Sequence, residues 1–443
     1  MKPGDLLRQS RAWWAPAGIL LATALFFSPY LFQGKVFMAG DALYLHVPWR
    51  SYAPPGFFPR NTLITDPVNA NFAGLYNRQL KQGGAAAWNP YLLTGLPATG
   101  TTSMSGAPGR FYPVKLLLHR LLPTTDAFMW LLMLHVAAMG LFMYLYLREV
   151  GAEAAGALFG AVAFMFNGCA MVWLEFESVT YTAALLPLLL LLLERTLRPR
   201  GLRYGFAGAL VLGLMGLMGM IQYLVYTGLF IGFYTLLLLW RARAAGQGRA
   251  GMLRIAACVG ITCVGGALIS AAGLLPDVEL MQNSSRISRS FTFATFFETL
   301  ARVPFRYLVT LLFPDFYGSP PLRLNIIPRL PSQEYMNYNE LCLYLGVPTL
   351  VALVGALIAP KTTVQRFYLL MTGLLLALLT GTFLYYPFFK LVPGMNRMNP
   401  TRLAFLFMFT GSAAAGLGLS ALERLCARRR TIFLAAARNR LAA

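Results

Sequence analysis

The sequence predicts an all-α integral membrane protein with about ten transmembrane helices and two long non-cytoplasmic segments. Three observations carry that prediction. Hydrophobic residues make up 57% of the 443 positions and charged residues only 12%, against roughly 25% charged in an ordinary soluble domain. Apolar runs recur at about the 20 residues that a helix needs to cross a hydrocarbon core. Between the runs, Lys and Arg crowd into short connections, the pattern of cytoplasmic loops. Helices suit such runs because they satisfy their own backbone hydrogen bonds where no water can.

The apolar runs place the spans at 12–33, 127–147, 154–174, 179–195, 204–221, 223–240, 254–275, 341–359, 366–385 and 402–423. Lys2, Arg8 and Arg11 precede the first of these. The run from Ala12 to Phe32 is longer than the apolar core of a cleaved signal, and no small-x-small site ends it, so it reads as a retained first helix. Connections 196–203, 241–253 and 360–365 are short and basic, as is the tail 424–443. Both termini therefore read as cytoplasmic, and 34–126 and 276–340 as the first and second outer loops of a single transmembrane domain covering 1–443. Within the loops, 70–82, Phe111–Leu122 and Phe291–Phe313 read as helices lying in the membrane interface, apolar side down. In the second of these, Lys115, His119 and Arg120 are expected to face the headgroups. Gly156 and Gly160, then Gly213, Gly216 and Gly219, then Ala414 and Gly418, stand at helical spacing and read as seams of close helix packing.

Composition also excludes. The net charge is +21, but the basic residues sit between apolar spans, so the expected partner is membrane lipid and not nucleic acid. None of Cys169, Cys258, Cys263, Cys342 and Cys426 forms a CxxC pair, and no His lies at metal-ligand spacing. No disulfide framework or metal site follows. The spans are almost free of charge, with Glu175, Glu177 and Glu194 at helix ends, which argues against an ion-coupled transporter.

Chemistry-bearing residues concentrate on the expected outer side. Asp41 follows the first span, in Gly40-Asp41-Ala42-Leu43-Tyr44, and Asp66 lies further along the same loop. A carboxylate at the membrane surface serves as a general base when burial tunes it, while Gly-Asp is equally common turn chemistry. Arg397 and Arg402 flank Pro400 just ahead of the last span. Pro400 predicts that the loop ends near Asn399 and that Arg402 enters the first turn of the last helix. Unpaired N–H groups there favour an anion, and arginine adds a planar fork that stays protonated. The plainer reading is a pair of interfacial arginines snorkelling to headgroups. Arg50, with Arg286 and Arg302, adds further cations.

The order of Gly40-Asp41…Pro48, Trp88-Asn89-Pro90, Gly95-x-Pro97 and Phe111-Tyr112-Pro113 resembles the first outer loop of the YfhO family of bacterial membrane proteins. The pattern continues through Leu186-Pro187 with Glu194-Arg195, Gly219 with Gln222, Pro276-Asp277-Val278-Glu279-Leu280 with Ser285-Arg286, and Pro314-Asp315-Phe316-Tyr317-Gly318. It closes with Asn337-Tyr338-Asn339-Glu340, Tyr344-Leu345-Gly346, Arg397-x-x-Pro400-x-Arg402 and Gly416-Leu417-Gly418. The resemblance implies a GT-C-like fold in the bacterial cytoplasmic membrane. It further implies a glycosyltransferase that moves a sugar from a polyprenyl-phosphate donor to a cell-envelope acceptor on the non-cytoplasmic face. Asp41, directly after the first helix, matches the family's acidic residue that acts on the acceptor. Arg397, Arg402 and Arg50 would hold the donor phosphate. Glu175 and Glu177 would bind a divalent cation or position sugar hydroxyls, or else form a solvated turn. Chains of the YfhO type commonly run longer, with an extracytoplasmic domain, whereas here a short basic tail follows the tenth expected span. The second reading is therefore a non-catalytic structural or assembly subunit of a membrane protein complex.

Overall fold

A computed structural model describes residues 3–38, 40–57, 78–83, 88–89, 94–97, 109–174, 176, 178–198, 201–218, 220–283, 291–299, 302–319 and 338–442. These are helical except for turns and one antiparallel pair, β1 (Trp88–Asn89) with β2 (Leu96–Pro97). Gly95 makes that pair feasible. Its φ is +119°, and a Cβ there would lie 2.8 Å from the Trp88 indole nitrogen.

The helices in chain order are α1 (Pro3–Phe26), α2 (Ser28–Gln33), α3 (Pro113–Leu121), α4 (Thr124–Glu149), α5 (Ala154–Met165), α6 (Gly168–Val172), α7 (Ser178–Arg195) and α8 (Leu202–Leu217). Then come α9 (Ile221–Ala244), α10 (Gly248–Gln282), α11 (Phe293–Thr299), α12 (Tyr338–Leu341), α13 (Val347–Ile358), α14 (Thr363–Leu379), α15 (Tyr386–Leu391) and α16 (Ala404–Ala442). Among the described residues, five stretches are long and apolar enough to cross a membrane: Thr124–Glu149, Ala154–Val172, Ile221–Ala244, Gly248–Glu279 and Pro400–Ala427. Thr363–Leu379 with Phe383–Leu391 makes a sixth, bent by 100°. The fold is that of a multi-pass helical membrane protein.

A helix occupies part of every apolar stretch read from the sequence, but three stop short. The run 341–359 is helical only over α13, because Gly346 takes φ +91° and Pro348 follows in the first turn. The run 366–385 ends at Leu379, where Gly381 takes φ +72° and the chain turns into α15. The first run breaks at Phe27, ahead of Ser28-Pro29, because proline cannot continue a helix interior. The interfacial expectations fare unevenly. Residues 78–81 are helical and the rest of the expected 70–82 helix lies outside the described residues. Phe291–Phe313 resolves into α11 and a 3-10 segment, Phe305–Leu311.

The last helix is the axis of the bundle. In its apolar window 94% of residues are buried, against 28% in α10, which lies at the periphery. Helix α16 packs on α5, α13 and α14, α4 packs on α5 and α7, and α8 lies along α10. Small residues line these seams. A Cβ on Gly416 would sit 2.7 Å from the carbonyl oxygen of Gly156, and one on Gly160 would sit 3.0 Å from that of Ser412. A Cβ on Gly208 of α8 would sit 2.6 Å from Thr262 Oγ1 of α10. The expected packing role is met by backbones that approach to contact at Gly156, Gly160 and Gly418, and by side chains of α10, Ile269 and Ser270, seated against Gly213 and Gly216. Gly219 lies outside the described residues.

Successive long helices run between two ends of the bundle. At one end, Tyr30 donates to Asp126 Oδ1 at 2.7 Å, tying α2 to the start of α4. Trp173, Gln222, Asn339 and Asn399 also meet at this end. At the other end, Glu149 pairs with Arg195 at 3.2 Å and with Arg198, and Arg424 pairs with Glu153 at 3.4 Å. Here too the buried Glu194 pairs with Arg241 and accepts from Tyr234 at 2.7 Å. Phe37, four residues before Asp41, donates its backbone N–H to Met129 Sδ in the second turn of α4 at 3.3 Å, so Asp41 lies at the first end.

Candidate functional site

Four separate pieces of chain converge on Arg402. Asn399 accepts a hydrogen bond from Thr401 N at 3.2 Å through Oδ1, and Pro400 opens the 3-10 turn Pro400–Leu403 that runs into α16. This is the loop-to-helix start that Pro400 predicts. The turn aims Arg402 at the first turn of α9, where its Nη1 donates to Gln222 Oε1 at 3.2 Å. Gln222 is held in turn, since its Nε2 donates to the Asn399 carbonyl at 2.7 Å and to Tyr226 Oη at 2.9 Å. Tyr226 donates to the same carbonyl at 2.8 Å.

The second long connection brings the counter-charge. Helix α12 places Glu340 with Oε1 3.7 Å from Arg402 Nε. Its Oε2 accepts from Asn399 Nδ2 at 2.6 Å and from Thr401 Oγ1 at 3.0 Å. Glu340 is anchored through its neighbour, because Asn339 donates to the Val172 carbonyl and accepts from Trp173 Nε1, both at 2.9 Å. The Trp173 ring lies 5.9 Å from the Arg402 guanidinium, within reach of cation–π attraction. The Glu340 side chain is 12% exposed and that of Arg402 25%. The result is a largely covered cation with a fixed carboxylate, an amide and an indole around it. Such a set holds an anionic or hydroxylated ligand from one side.

The remaining candidates fall in three groups. Asp41 lies in the 3-10 segment Gly40–Leu45, partly buried, and that segment packs on the turn Trp49–Tyr52, which carries an exposed Arg50. Arg397 is exposed in the turn Met395–Arg397 and forms no ion pair with a described residue. Asp66, Glu175, Glu177 and Arg286 lie outside the described residues. The structure thus pairs Arg402 with Glu340 rather than with Arg397, and sets Asp41 and Arg50 on neighbouring short segments.

One sequence expectation is reversed. Lys115 and His119 do not face headgroups; both are buried, as is Arg110, while Leu117 and Leu121 of the same helix are 58% and 68% exposed. Residues four apart share a helix face, and on α3 that face turns toward the protein. Burial first, then the charges of Lys115 and Lys81, push the His119 imidazole down to about 3, so it is neutral at ordinary pH. Arg120 alone keeps the expected outward position.

Sequence reasoning did not weigh Gln222, Glu340 or Trp173 as site residues. Gln222 and Glu340 stood inside quoted motifs, and a carboxylate beside an aromatic run on the expected outer side was the available signal. The pairing itself has a measurable consequence. Glu340→Gln and Arg402→Met are each expected to cost about 1–3 kcal/mol, since each leaves a partly buried polar group without its partner. The double variant is expected to cost less than their sum. Thermal unfolding in detergent reads both; strictly additive losses would mean that the two side chains are not coupled.

The class defined by fold and site is a multi-pass helical membrane protein with an arginine-centred polar cluster at the end where α4 and α9 begin. No protein-family model matches the chain, and no curated protein matches it.

Proposed function

We propose that the chain crosses the bacterial cytoplasmic membrane about ten times, with both termini cytoplasmic, and that its outer end moves a sugar from a polyprenyl-phosphate donor to an envelope acceptor. Helices α1, α7, α8 and α13 complete the alternation between the two ends on this reading, and the basic connections fall on the cytoplasmic side. The observation that carries the reading is the Arg402 cluster, mostly buried with its guanidinium partly open, at the end that also holds Asp41. In the proposed reaction an acceptor hydroxyl attacks the sugar carbon and the carbon–oxygen bond to phosphate breaks. The leaving phosphate keeps the electron pair, and Asp41 takes the hydroxyl proton. Arg402 and Arg397 stabilise charge that grows on the phosphate, and Glu340 with Gln222 orients the Arg402 fork. Direct attack inverts the sugar carbon.

A second reading rests on the same cluster. Arg402 already has Gln222 and Glu340 as partners, so the group also serves as a clamp between α9, α12 and α16. That suits a non-catalytic subunit of a membrane complex. The two separate in one assay. The purified chain, in vesicles containing polyprenyl phosphate carrying a radiolabelled sugar, is expected to move label into an extracted envelope fraction. Label that stays on the lipid across donor sugars, with the protein folded, would sink the transferase reading and leave the clamp.

A further inference from the structure

Three hydrogen bonds zip α6 to the stretch of chain that carries Glu340. The Gly168 N–H donates to the Tyr344 carbonyl at 2.7 Å, Asn339 Nδ2 donates to the Val172 carbonyl at 2.9 Å, and Trp173 Nε1 donates to the Asn339 carbonyl at 2.9 Å. The two pieces therefore run antiparallel, with Gly168 against Tyr344 and Trp173 against Asn339. One step in from the first contact on α6 stands Cys169, and two steps in on the other side stands Cys342.

The two thiols face the same seam. Cys342 Sγ lies 2.7 Å from where a Cβ on Gly168 would stand, so it rests on the backbone of the residue next to Cys169. The charge of one thiol is felt at the other. Neighbouring Cα atoms are about 3.8 Å apart, and a disulfide joins Cα atoms about 4.4–6.8 Å apart. A sulfur seated on Gly168 is thus within reach of Cys169 by side-chain rotation. Both cysteines are free thiols, 4% and 3% exposed. They lie far apart in sequence, so no spacing rule marks them.

One of the two is placed to open. Cys342 follows the single turn of α12, and residues 342–346 form no helix before α13 begins. Cys169 instead belongs to the spanning stretch Ala154–Val172. A short connection held by few hydrogen bonds opens at lower cost than a packed span.

We infer that Cys169 and Cys342 are an oxidisable pair that closes to a disulfide, bonding α6 to the stretch that carries Glu340 and so fixing Glu340 beside Arg402. The oxidant is a second disulfide, of a small molecule or of a thiol oxidoreductase. The Cys342 thiol gives up its proton, and its sulfur attacks one sulfur of that disulfide and expels the other as a thiolate. Cys169, deprotonated in turn, attacks the Cys342 sulfur of the mixed disulfide and expels the second thiolate. Two protein thiols and one disulfide become one protein disulfide and two small thiols. The inference does not require sugar transfer. The supply of oxidant in cells rests on the proposed orientation, which puts this seam in the oxidising outer compartment.

The test maps peptides of the full chain without reduction, after two treatments. In the first, cells making the chain are quenched with N-ethylmaleimide before lysis. In the second, the chain is purified in detergent, reduced, freed of reductant and warmed with dithiodipyridine, a small apolar disulfide, before quenching. A peptide joining Cys169 to Cys342, lighter by two hydrogens than its parts, is expected from most of the chain in both. Cys263 and Cys426, exposed thiols on α10 and α16, are expected to keep the reagent as mixed disulfides. The bridged chain is expected to melt about 5 °C above the reduced chain, and Cys169→Ala or Cys342→Ala to lose that shift. Cys169 and Cys342 recovered from both treatments as free thiols, or as separate mixed disulfides, would overturn the inference. A bridged chain that melts with the reduced chain would overturn the fixing of Glu340. A link that forms only in the purified chain would support the pair and overturn the outward orientation.

Discussion

Glu194→Ala is expected to destabilise the bundle by about 3 kcal/mol, the low end of what breaking a buried ion pair costs. Glu194 is 5% exposed and holds two partners from α9, Arg241 in an ion pair and Tyr234 through a hydrogen bond of 2.7 Å. Tyr234 shares its hydroxyl with Tyr146 of α4 at 2.9 Å, and Tyr146 reaches Tyr368 of α14. One carboxylate therefore anchors a polar chain through α7, α9, α4 and α14. Removing it leaves a guanidinium and a buried hydroxyl without their acceptor. The low end applies because the Arg241 side chain is 28% exposed and can bend toward headgroups. Glu194→Gln retains an acceptor for Tyr234 and loses only the charge, so it is expected to cost less than Ala. Tyr146→Phe removes hydrogen bonds without stranding a charge and is expected to cost about 1 kcal/mol. Thermal unfolding in one detergent ranks the three. An Ala variant that melts with the parent would mean that the network adds nothing to stability.

What could be read from the sequence was set by local rules. A helix that must cross lipid announces itself in a continuous apolar run, and every expected run contains one. The start of the last helix followed from Asn399-Pro400, because proline fits a first turn and not an interior. The seams of Gly156, Gly160 and Gly418 followed because only small residues let backbones touch. Gly346 and Gly381 were local signals too, but long apolar runs hid them, so two helices came out shorter than expected.

The rest depended on partners distant in sequence. Glu340 meets Arg402 and Glu194 meets Arg241 only after the helices between them pack, so the arginine was legible as a candidate while its carboxylate was not. Lys115 and His119 show the same limit. Their spacing revealed that they share a face, but the choice between headgroup and protein interior belongs to what packs against α3. Arg110 joins them, and nothing local marked it for burial.

Asp41→Asn is expected to lower sugar transfer by about 10²–10⁴-fold, the usual loss on removing a general base, with protein level and melting close to the parent. Asparagine keeps the size of the side chain and its capacity to cap a turn. It cannot accept a proton from the acceptor hydroxyl. That contrast matters because Asp41 stands in the first turn of Gly40–Leu45, where a capping aspartate is ordinary. A capping role alone predicts that Asn substitutes well, whereas a base predicts that folding survives and transfer does not. The loss should fall on turnover more than on donor binding, since the proton leaves as the hydroxyl attacks. Arg402→Lys is the complementary case: it keeps charge but not the planar fork, so it should weaken donor binding and turnover together. Measuring kcat and KM for donor and acceptor separately distinguishes the two signatures. If Asp41→Asn transfers sugar like the parent at equal protein level, Asp41 is a turn residue. The base must then be sought among other carboxylates at the same end, with Glu340 the first to test.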